Sequence, residues 1–493
     1  MTKLDNHYNL FINGEWRQGS KGQVMLSDNP ANNKPWASFD CASQEDIELA
    51  VQSARSVLNK GFWKTCTATE RGKLLYKLAD LIEENAEKIG TIETHDSGKL
   101  LAETVSQTKY VADYYRYFAG MADKIEGATL PIDKKDMHVY TTHQPIGVVA
   151  AIVPWNAQMF LTATKLAPAL AAGCSIILKA SEIAPCALFE LAKLIEQAEF
   201  PKGVVSVITG DAENCSAPLT SHPDIDRIAF TGGTDTAKKI IQNSSNNFAA
   251  TNLELGGKSP LIIFEDADLE SAANGIIAGN FGASGQSCVA GSRVIVHQNI
   301  AKDLLKLIQK KSQSIQVGDP LKQETNLGPL CTQKQIEIIE TTINKSVEQG
   351  GVIIFGGKKI EGEGNYFEPT LIHCPTHNIE TLKVEMFGPV ISFIEFEKEE
   401  QAIEIANDSK YGLGSGLFTK NLARAHRASQ EIKAGICWIN TYRAISPIAP
   451  FGGFNQSGYA REAGKKSILD YTRTKTTWIN ISDDPMKNPF VMR

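Results

Sequence analysis

The 493 residues leave room for about three domains at ~150 residues each. With 42% hydrophobic and 22% charged residues, the chain has the composition of a globular protein with a large core, not of a disordered one. Fifty Lys and Arg against 56 Asp and Glu give a net charge of −6, without the basic surplus of a nucleic-acid binder. The longest apolar run, Ile146 to Val153, stops at Pro154, far short of the ~20 residues of a spanning helix. Neither nucleic acid nor membrane is expected as a partner.

Met1 to Gly19 carries one short apolar patch, Leu10–Ile12, and no apolar segment of the kind that directs secretion, which points to the cytoplasm. Gln44–Leu58 and Thr69–Lys88 read as amphipathic helices, the second opened by Thr69 and Glu70 and carrying Leu74, Leu75, Leu78, Leu81 and Ile82 at helical spacing. Glu126–Gln144 combines Gly, Pro and charges with the alternation Met137–Val139–Thr141, and predicts a protruding β-hairpin. From Ile146 onward, the runs Val148–Val153, Ser175–Lys179, Val204–Thr209, Arg227–Thr231, Thr251–Leu255 and Pro260–Phe264 predict strands. Thr162–Ala172, Ile183–Gln197 and Thr234–Asn243 between them predict helices. Strands ~20–30 residues apart with helical crossovers are βαβ units of a parallel sheet, so the fold class is α/β. A second α/β stretch follows Leu261 and runs to about Tyr471. The tail from Thr474 is again strand-like, and with the hairpin it presents two edges that call for a partner strand.

Nine scattered cysteines without a Cys-x-x-Cys pair predict reduced thiols, most of them packing as small hydrophobes. Cys288 differs: it sits in Phe281-Gly-Ala-Ser-Gly-Gln-Ser-Cys288-Val-Ala-Gly291, where small neighbours leave room for a substrate. Glu254, at the end of an apolar strand before two glycines, is either a half-buried general base or the ion-pair partner of Lys258. Pro154-Trp155-Asn156 closes a strand at its carboxyl end, where ligands of parallel sheets bind and where an amide can meet an oxyanion. Phe230-Thr-Gly232-Gly233-Thr-Asp-Thr-Ala237 is a strand, a Gly-rich turn and a helix start, suited to a phosphate yet without the last glycine of a dinucleotide fingerprint. Lys179-Ala-Ser-Glu182 either holds ribose hydroxyls or is a surface ion pair. His373 and His377 are separated by Pro375, and no His cluster suggests a metal site.

These motifs, together with Glu385-Met-Phe387-Gly-Pro and Pro-Phe451-Gly-Gly-Phe-Asn-Gln-Ser-Gly458, resemble the NAD(P)-dependent aldehyde dehydrogenases of the hydrolytic, non-acylating type over nearly the whole chain. The resemblance implies a Rossmann-like NAD-binding domain (1–125 and 145–254), an α/β catalytic domain (255–471) and a small β oligomerisation element (126–144 and 472–493). It makes Cys288 the nucleophile, Glu254 the general base, Asn156 an oxyanion donor with the Cys288 N–H, and Lys165 a proton-relay residue. It assigns Trp155, Lys179, Glu182, Gly232, Gly233, Glu385 and Phe387 to the cofactor, and Ala157, Phe160, Thr164, Arg443, Ile445 and Phe451 to the substrate pocket. The chain departs from the family pattern at Ala180 and Ala237. The Glu182 carboxylate disfavours a 2′-phosphate, so NAD is expected, with NADP as the alternative.

The expected reaction is NAD-dependent oxidation of an aldehyde to the carboxylic acid through a cysteine thiohemiacetal and thioester. Ala157 and Thr164, where many relatives carry aromatics, suggest a roomy pocket for a bulky or cyclic aldehyde, and Arg443 suggests an anionic one. The alternatives are an acylating coenzyme A enzyme, which characteristically lacks the Glu, a cysteine hydrolase, and a catalytically silent structural homologue. A homodimer or homotetramer is expected, because a neighbouring subunit would cover the two exposed edges.

Overall fold

In the computed structural model, which describes residues 4–486 and 488–491, the strands after Ile146 form the parallel centre of an eight-stranded sheet. Their spatial order is Ala250–Glu254, Arg227–Thr231, Val148–Ile152, Ser175–Lys179, Val205–Ile208, all parallel. Val148–Ile152 and Ser175–Lys179 are buried throughout, as expected of strands with helices on both faces. Side-chain alternation divides the core: Ile176 and Leu178 pack toward the helices Ala68–Glu84, Leu101–Met121 and Gln158–Ala172. Ile177 packs on the opposite face with Ile47 and Val51 of the helix Gln44–Asn59 and with Ile228. The chain adds strands on one side of Val148–Ile152 and then returns to the other, so the order reverses between Val148–Ile152 and Arg227–Thr231. A crevice opens outside the carboxyl ends of the strands at such a switch point.

The edges of this sheet are antiparallel: Gly458–Tyr459 pairs with Ala250–Glu254, and Leu10–Ile12 pairs with Val205–Ile208 and Glu15–Arg17. The stretch after Leu261 builds a seven-stranded sheet centred on Pro260–Ile263, Arg293–His297 and Val390–Phe396, parallel except where Val352–Phe355 meets Thr370–His373. A three-stranded sheet of His7–Tyr8, Val24–Asn29 and Lys34–Asp40 was not foreseen, nor was the helix Leu101–Met121.

The hairpin expected at 126–144 is instead one nine-residue strand, Met137–Pro145, whose main partner is Thr472–Asn480 of the same chain. Residues 128–130 lie antiparallel along it through the Thr129–Tyr140 bridge, with the Leu130 N–H donating to the Val139 carbonyl at 2.9 Å and the Thr141 N–H to the Ala128 carbonyl at 2.8 Å, but Pro131 and the charged Asp133–Asp136 turn keep them from forming a second full strand. The two expected edge strands thus pair with one another, and the outer edge of Thr472–Asn480 has no partner strand among the described residues. The helix expected at Thr69–Lys88 begins earlier, with Thr67 and Glu70 forming the capping box, and breaks at Asn85, whose amide donates to the Leu81 carbonyl at 2.8 Å. The helix expected from Thr162 starts at Gln158, and the one expected from Ile183 starts at Cys186, after Pro185. Residues 1–3, 487 and 492–493 of the expected ranges lie outside the described residues.

Candidate active site

The carboxyl ends of Val148–Ile152, Ser175–Lys179 and Arg227–Thr231 open on one cleft of about 270 Å³ whose walls include Trp155, Lys179, Glu182, Gly232 and Gly233. Lys179 Nζ donates to Glu182 Oε2 at 2.6 Å, so the pair is formed and lies on the cleft wall. Gly233 precedes the helix Thr234–Ser244 with no side-chain cap, and a methyl there would meet nothing within 4 Å. The first N–H groups of that helix, the positive end of its dipole, are therefore approachable by a phosphate. Ala237, where a glycine is usual, lies inside this helix: it is buried and its N–H donates to the Gly233 carbonyl at 3.1 Å, so the departure leaves the turn itself intact.

The loop Glu385–Phe387 of the second sheet packs through Phe387 on Trp155 of the cleft wall, while neither Glu385 nor Phe387 lines the cleft itself. Phe387, with φ of 51°, meets Trp155 edge-on at 5.5 Å between ring centroids. Glu385 Oε1 accepts from the Gly257 N–H at 2.9 Å, and its other oxygen occupies the space a side chain on Gly256 would need. That contact requires glycine at 256. Burial pushes the Glu385 carboxyl up to about 7, against the backbone hydrogen bond that favours its charge.

Beyond the cleft lies a cavity of about 540 Å³ with Cys288, Asn156, Ala157, Phe160, Arg443, Ile445 and Phe451 on its walls. Three consecutive residues before the thiol, Ala283, Ser284 and Gly285, have φ of 54°, 55° and 74°. Two of them are not glycine, and such conformations persist only where their surroundings impose them. Here Glu103 Oε1 accepts from the Ala283 N–H at 3.0 Å, the Ser284 hydroxyl donates to the Gly328 carbonyl at 2.8 Å, and Gln286 Oε1 accepts from the Cys331 N–H at 2.8 Å. The loop places a partly buried thiol on the cavity wall. Burial pushes the Cys288 thiol up to about 12, helped by the charges of Glu385 and Glu254 and opposed by Arg443. Asn156 Nδ2 donates to the Gln286 carbonyl at 3.0 Å, two residues from Cys288, which uses one of its two N–H donors and leaves the other.

Glu254 is buried, and neither of its carboxylate oxygens has a hydrogen-bond partner among the described residues. Its ion pair with Lys258 is not formed, and Lys258 Nζ is likewise buried without a partner. Burial first, and then the nearby Glu462, hold the Glu254 carboxyl well above the usual range, while Lys165 and Arg461 pull it down. Lys165 is itself buried, its ammonium held by Glu462 Oε1 and by Thr231 Oγ1 at 2.6 Å. Thr164, expected in the pocket, does not line it: the side chain is buried and its hydroxyl donates to Glu462 Oε2 at 2.6 Å, because one turn of helix points it away from the cavity.

Glu462 is the residue that sequence reasoning missed here. No motif marks it, since it reaches Lys165 from almost three hundred positions away, fixed by a backbone bridge with Phe451. Lys99, Glu103, Gln107 and Tyr110 on the cavity wall were missed with the segment Lys99–Tyr110 that carries them. Among the described residues, no cluster of three His, Cys, Asp or Glu side chains could hold a metal. Among the described residues, no helix is long and apolar enough to cross a membrane. Glu462→Gln is expected to lower stability by about 3–5 kcal/mol, because it strands the buried Lys165 charge. A denaturant midpoint equal to that of the wild type would show that the pair contributes nothing.

The model of the Aldehyde dehydrogenase family matches residues 16–477. A protein of Acinetobacter baylyi described as (Z)-2-((N-methylformamido)methylene)-5-hydroxybutyrolactone dehydrogenase is 50% identical over 487 residues, covering 99% of each chain. Aldehyde dehydrogenase 1 of Tanacetum cinerariifolium is 40% identical, covering 97% of this chain and 96% of its own. Among solved structures, the NAD+ complex of aldehyde dehydrogenase from Bacillus cereus superposes with a TM-score of 0.95 at 40% identity, covering 97% of this chain and 98% of its own. PnpE in complex with nicotinamide adenine dinucleotide gives a TM-score of 0.95 at 40% identity, covering 98% of this chain and 99% of its own.

Proposed function

The chain belongs to the aldehyde dehydrogenase family and oxidises aldehydes with NAD, and from that premise we propose that its substrate is a polar aldehyde bearing a carboxylate, which reacts in its open form where it equilibrates with a ring-closed hydroxylactone. The observation that carries this reading is the guanidinium of Arg443 on the wall of a 540 Å³ cavity that also holds the Cys288 thiol. A guanidinium pairs with a carboxylate through two parallel N–H donors. The 5-hydroxybutyrolactone in the name of the Acinetobacter relative is, chemically, the closed form of a four-carbon aldehyde acid. The cavity size agrees with a ring as well as with an open chain.

In this reading the Cys288 thiol gives its proton to solvent water, the thiolate Sγ adds to the aldehyde carbon, and the developing oxyanion accepts from Asn156 Nδ2 and from the Cys288 N–H. Lys179 and Glu182 would hold the adenosine ribose, the Gly232–Gly233 turn would admit the pyrophosphate, Glu385 would hold the nicotinamide ribose, and Trp155 and Phe387 would lie near the nicotinamide. NAD bound there supplies the hydride acceptor that leaves a thioester on Cys288. Glu254 then takes a proton from water as the water attacks the thioester, and Lys165 with Glu462 passes that proton on. The uncapped helix start, the open Gly233 and the Lys179–Glu182 pair fit a dinucleotide.

We assign 1–125 and 145–254 to the NAD-binding domain, 255–471 to the catalytic domain, and 126–144 with 472–493 to oligomerisation. A homodimer or homotetramer would cover Trp478 and Ile481, which are 55% and 61% exposed on the two-stranded arm.

The test is NADH formation by the purified protein with aliphatic, aromatic, cyclic and carboxylated aldehydes, with NADP and with coenzyme A in parallel. Carboxylated aldehydes are expected to give the highest kcat/KM, and Arg443→Ala to raise their KM selectively. An equal effect of that substitution on neutral aldehydes would overturn the anion reading. Comparable turnover with NADP would overturn the preference ascribed to Glu182.

A further inference from the structure

We infer that Gly282 is the specificity-determining position of the substrate cavity: having no side chain, it gives the Arg443 guanidinium its place on the wall beside Cys288, where that guanidinium receives the carboxylate of the aldehyde. This rests on the anionic-substrate reading given above. Gly282 has φ of −57° and ψ of 136°, a conformation open to any residue, so the backbone does not demand glycine there. What links the glycine to the cavity is the side chain that occupies its space, whose end a methyl would displace. A methyl at Gly282 collides with Arg443 Nη1 and comes within 3.8 Å of Glu103 Oε1.

Arg443 is held by its backbone conformation and by one side-chain hydrogen bond. Its φ of 62° is a left-handed conformation that a non-glycine residue adopts only when its surroundings fix it. Its Nη1 donates to the Ala278 carbonyl at 3.0 Å, on the helix that ends at Phe281. The Glu103 carboxylate lies across the Gly282 backbone, anchored by the Ala283 N–H and with its Oε2 free of any partner among the described residues. Among the described residues it makes no ion pair with the guanidinium and so uses up none of its donors. One of the five N–H donors is spent on Ala278, and the planar fork remains able to take an anion. The next residues along the same loop lead to Cys288, so a carboxylate held here lies on the same cavity wall as the thiol. Gly282 and Arg443 thus form one device: a gap and the cation that fills it.

The experiment compares 4-oxobutanoate with butanal, two aldehydes of like size that differ in charge, using the wild type, Gly282→Ala, Arg443→Gln and the double variant with NAD. The ratio of kcat/KM for the anionic over the neutral aldehyde is expected to fall about tenfold or more in each single variant, the scale of a lost charge-assisted hydrogen bond. The double variant is expected to fall no further, because the added methyl then displaces no guanidinium. A second readout needs no turnover: the rate of Cys288 alkylation by iodoacetate relative to iodoacetamide should drop in Gly282→Ala as it does in Arg443→Gln. The double variant also serves where Gly282→Ala alone folds poorly, since relief of the collision should restore folding.

If Arg443→Gln collapses both ratios and Gly282→Ala leaves them as in the wild type, the inference about Gly282 fails and the anionic reading stands. If the wild type itself prefers butanal and neither variant moves the ratios, both fail. If Gly282→Ala slows both aldehydes and both reagents alike, the glycine serves only the loop, and the inference is overturned.

Discussion

Cys288→Ala is expected to eliminate aldehyde-dependent NADH formation, with a loss on the order of 10⁴–10⁶ in kcat, the scale seen when a sole nucleophile is removed. The loss should be close to complete because none of the other eight cysteines lines the cavity, so no second thiol can substitute. NAD binding, followed by calorimetry, should survive, since the cleft at the switch point does not include Cys288. The thiol also carries a pH signature. Burial and the charges of Glu385 and Glu254 push it up to about 12. In the cofactor-free protein it is therefore neutral at pH 7, and its charged, reactive form grows as pH rises. The rate of Cys288 alkylation by iodoacetamide should climb tenfold per pH unit from 7 to about 10 without a plateau. A plateau below pH 9 would show that the resting site already stabilises the thiolate. Retained turnover in Cys288→Ala would remove the covalent mechanism altogether.

The parallel strands were legible because each is a short apolar run between helical segments, and the same signal located the carboxyl ends on which Trp155, Lys179, Gly232 and Glu254 stand. What escaped were features set by distant segments. Glu462 approaches Lys165 only because Phe451 bridges to it, and nothing in the chain near either residue announces the pair. Thr164 was misplaced because the expectation rested on the family resemblance, whereas in this chain its hydroxyl donates to the buried Glu462 and its side chain does not line the cavity. The arm failed in a similar way. The alternating residues from Met137 to Thr141 correctly indicated a strand, but its partner lies more than three hundred residues later, at Thr472–Asn480. A strand's texture is local and its pairing is not. Gly282 shows a further limit: it read as one small residue among many, and its significance appears only when Arg443 is seen filling the space it leaves.

Glu254→Gln is expected to separate the two halves of the reaction. The substitution keeps the shape of the side chain and removes its ability to take a proton, in a pocket where neither carboxylate oxygen has a hydrogen-bond partner among the described residues. Addition of Cys288 and departure of the hydride need no base at this position if the thiol loses its proton elsewhere, so acylation should proceed. Hydrolysis of the thioester needs a base near the attacking water, and its rate should fall by about 10²–10⁴, the usual contribution of a positioned general base. The time course should then show a burst of about one NADH per active site followed by a slow steady phase, the mark of an accumulating acyl-enzyme. Mass spectrometry should find the acyl group on the Cys288 peptide. The wild-type profile supplies the pH arm of the same prediction. Burial and Glu462 hold the Glu254 carboxyl well above the ordinary carboxylate range, so its basic form is gained only as pH rises past that raised value. Steady-state kcat should increase with pH along a limb shifted upward from that of an exposed glutamate, and that limb should vanish in Glu254→Gln. If the variant instead shows no burst and a uniformly slow first turnover, Glu254 acts in deprotonating Cys288 and the division of labour proposed here is wrong. If kcat is unchanged, the base is another group, and the buried Glu462 beside Lys165 is the next to substitute.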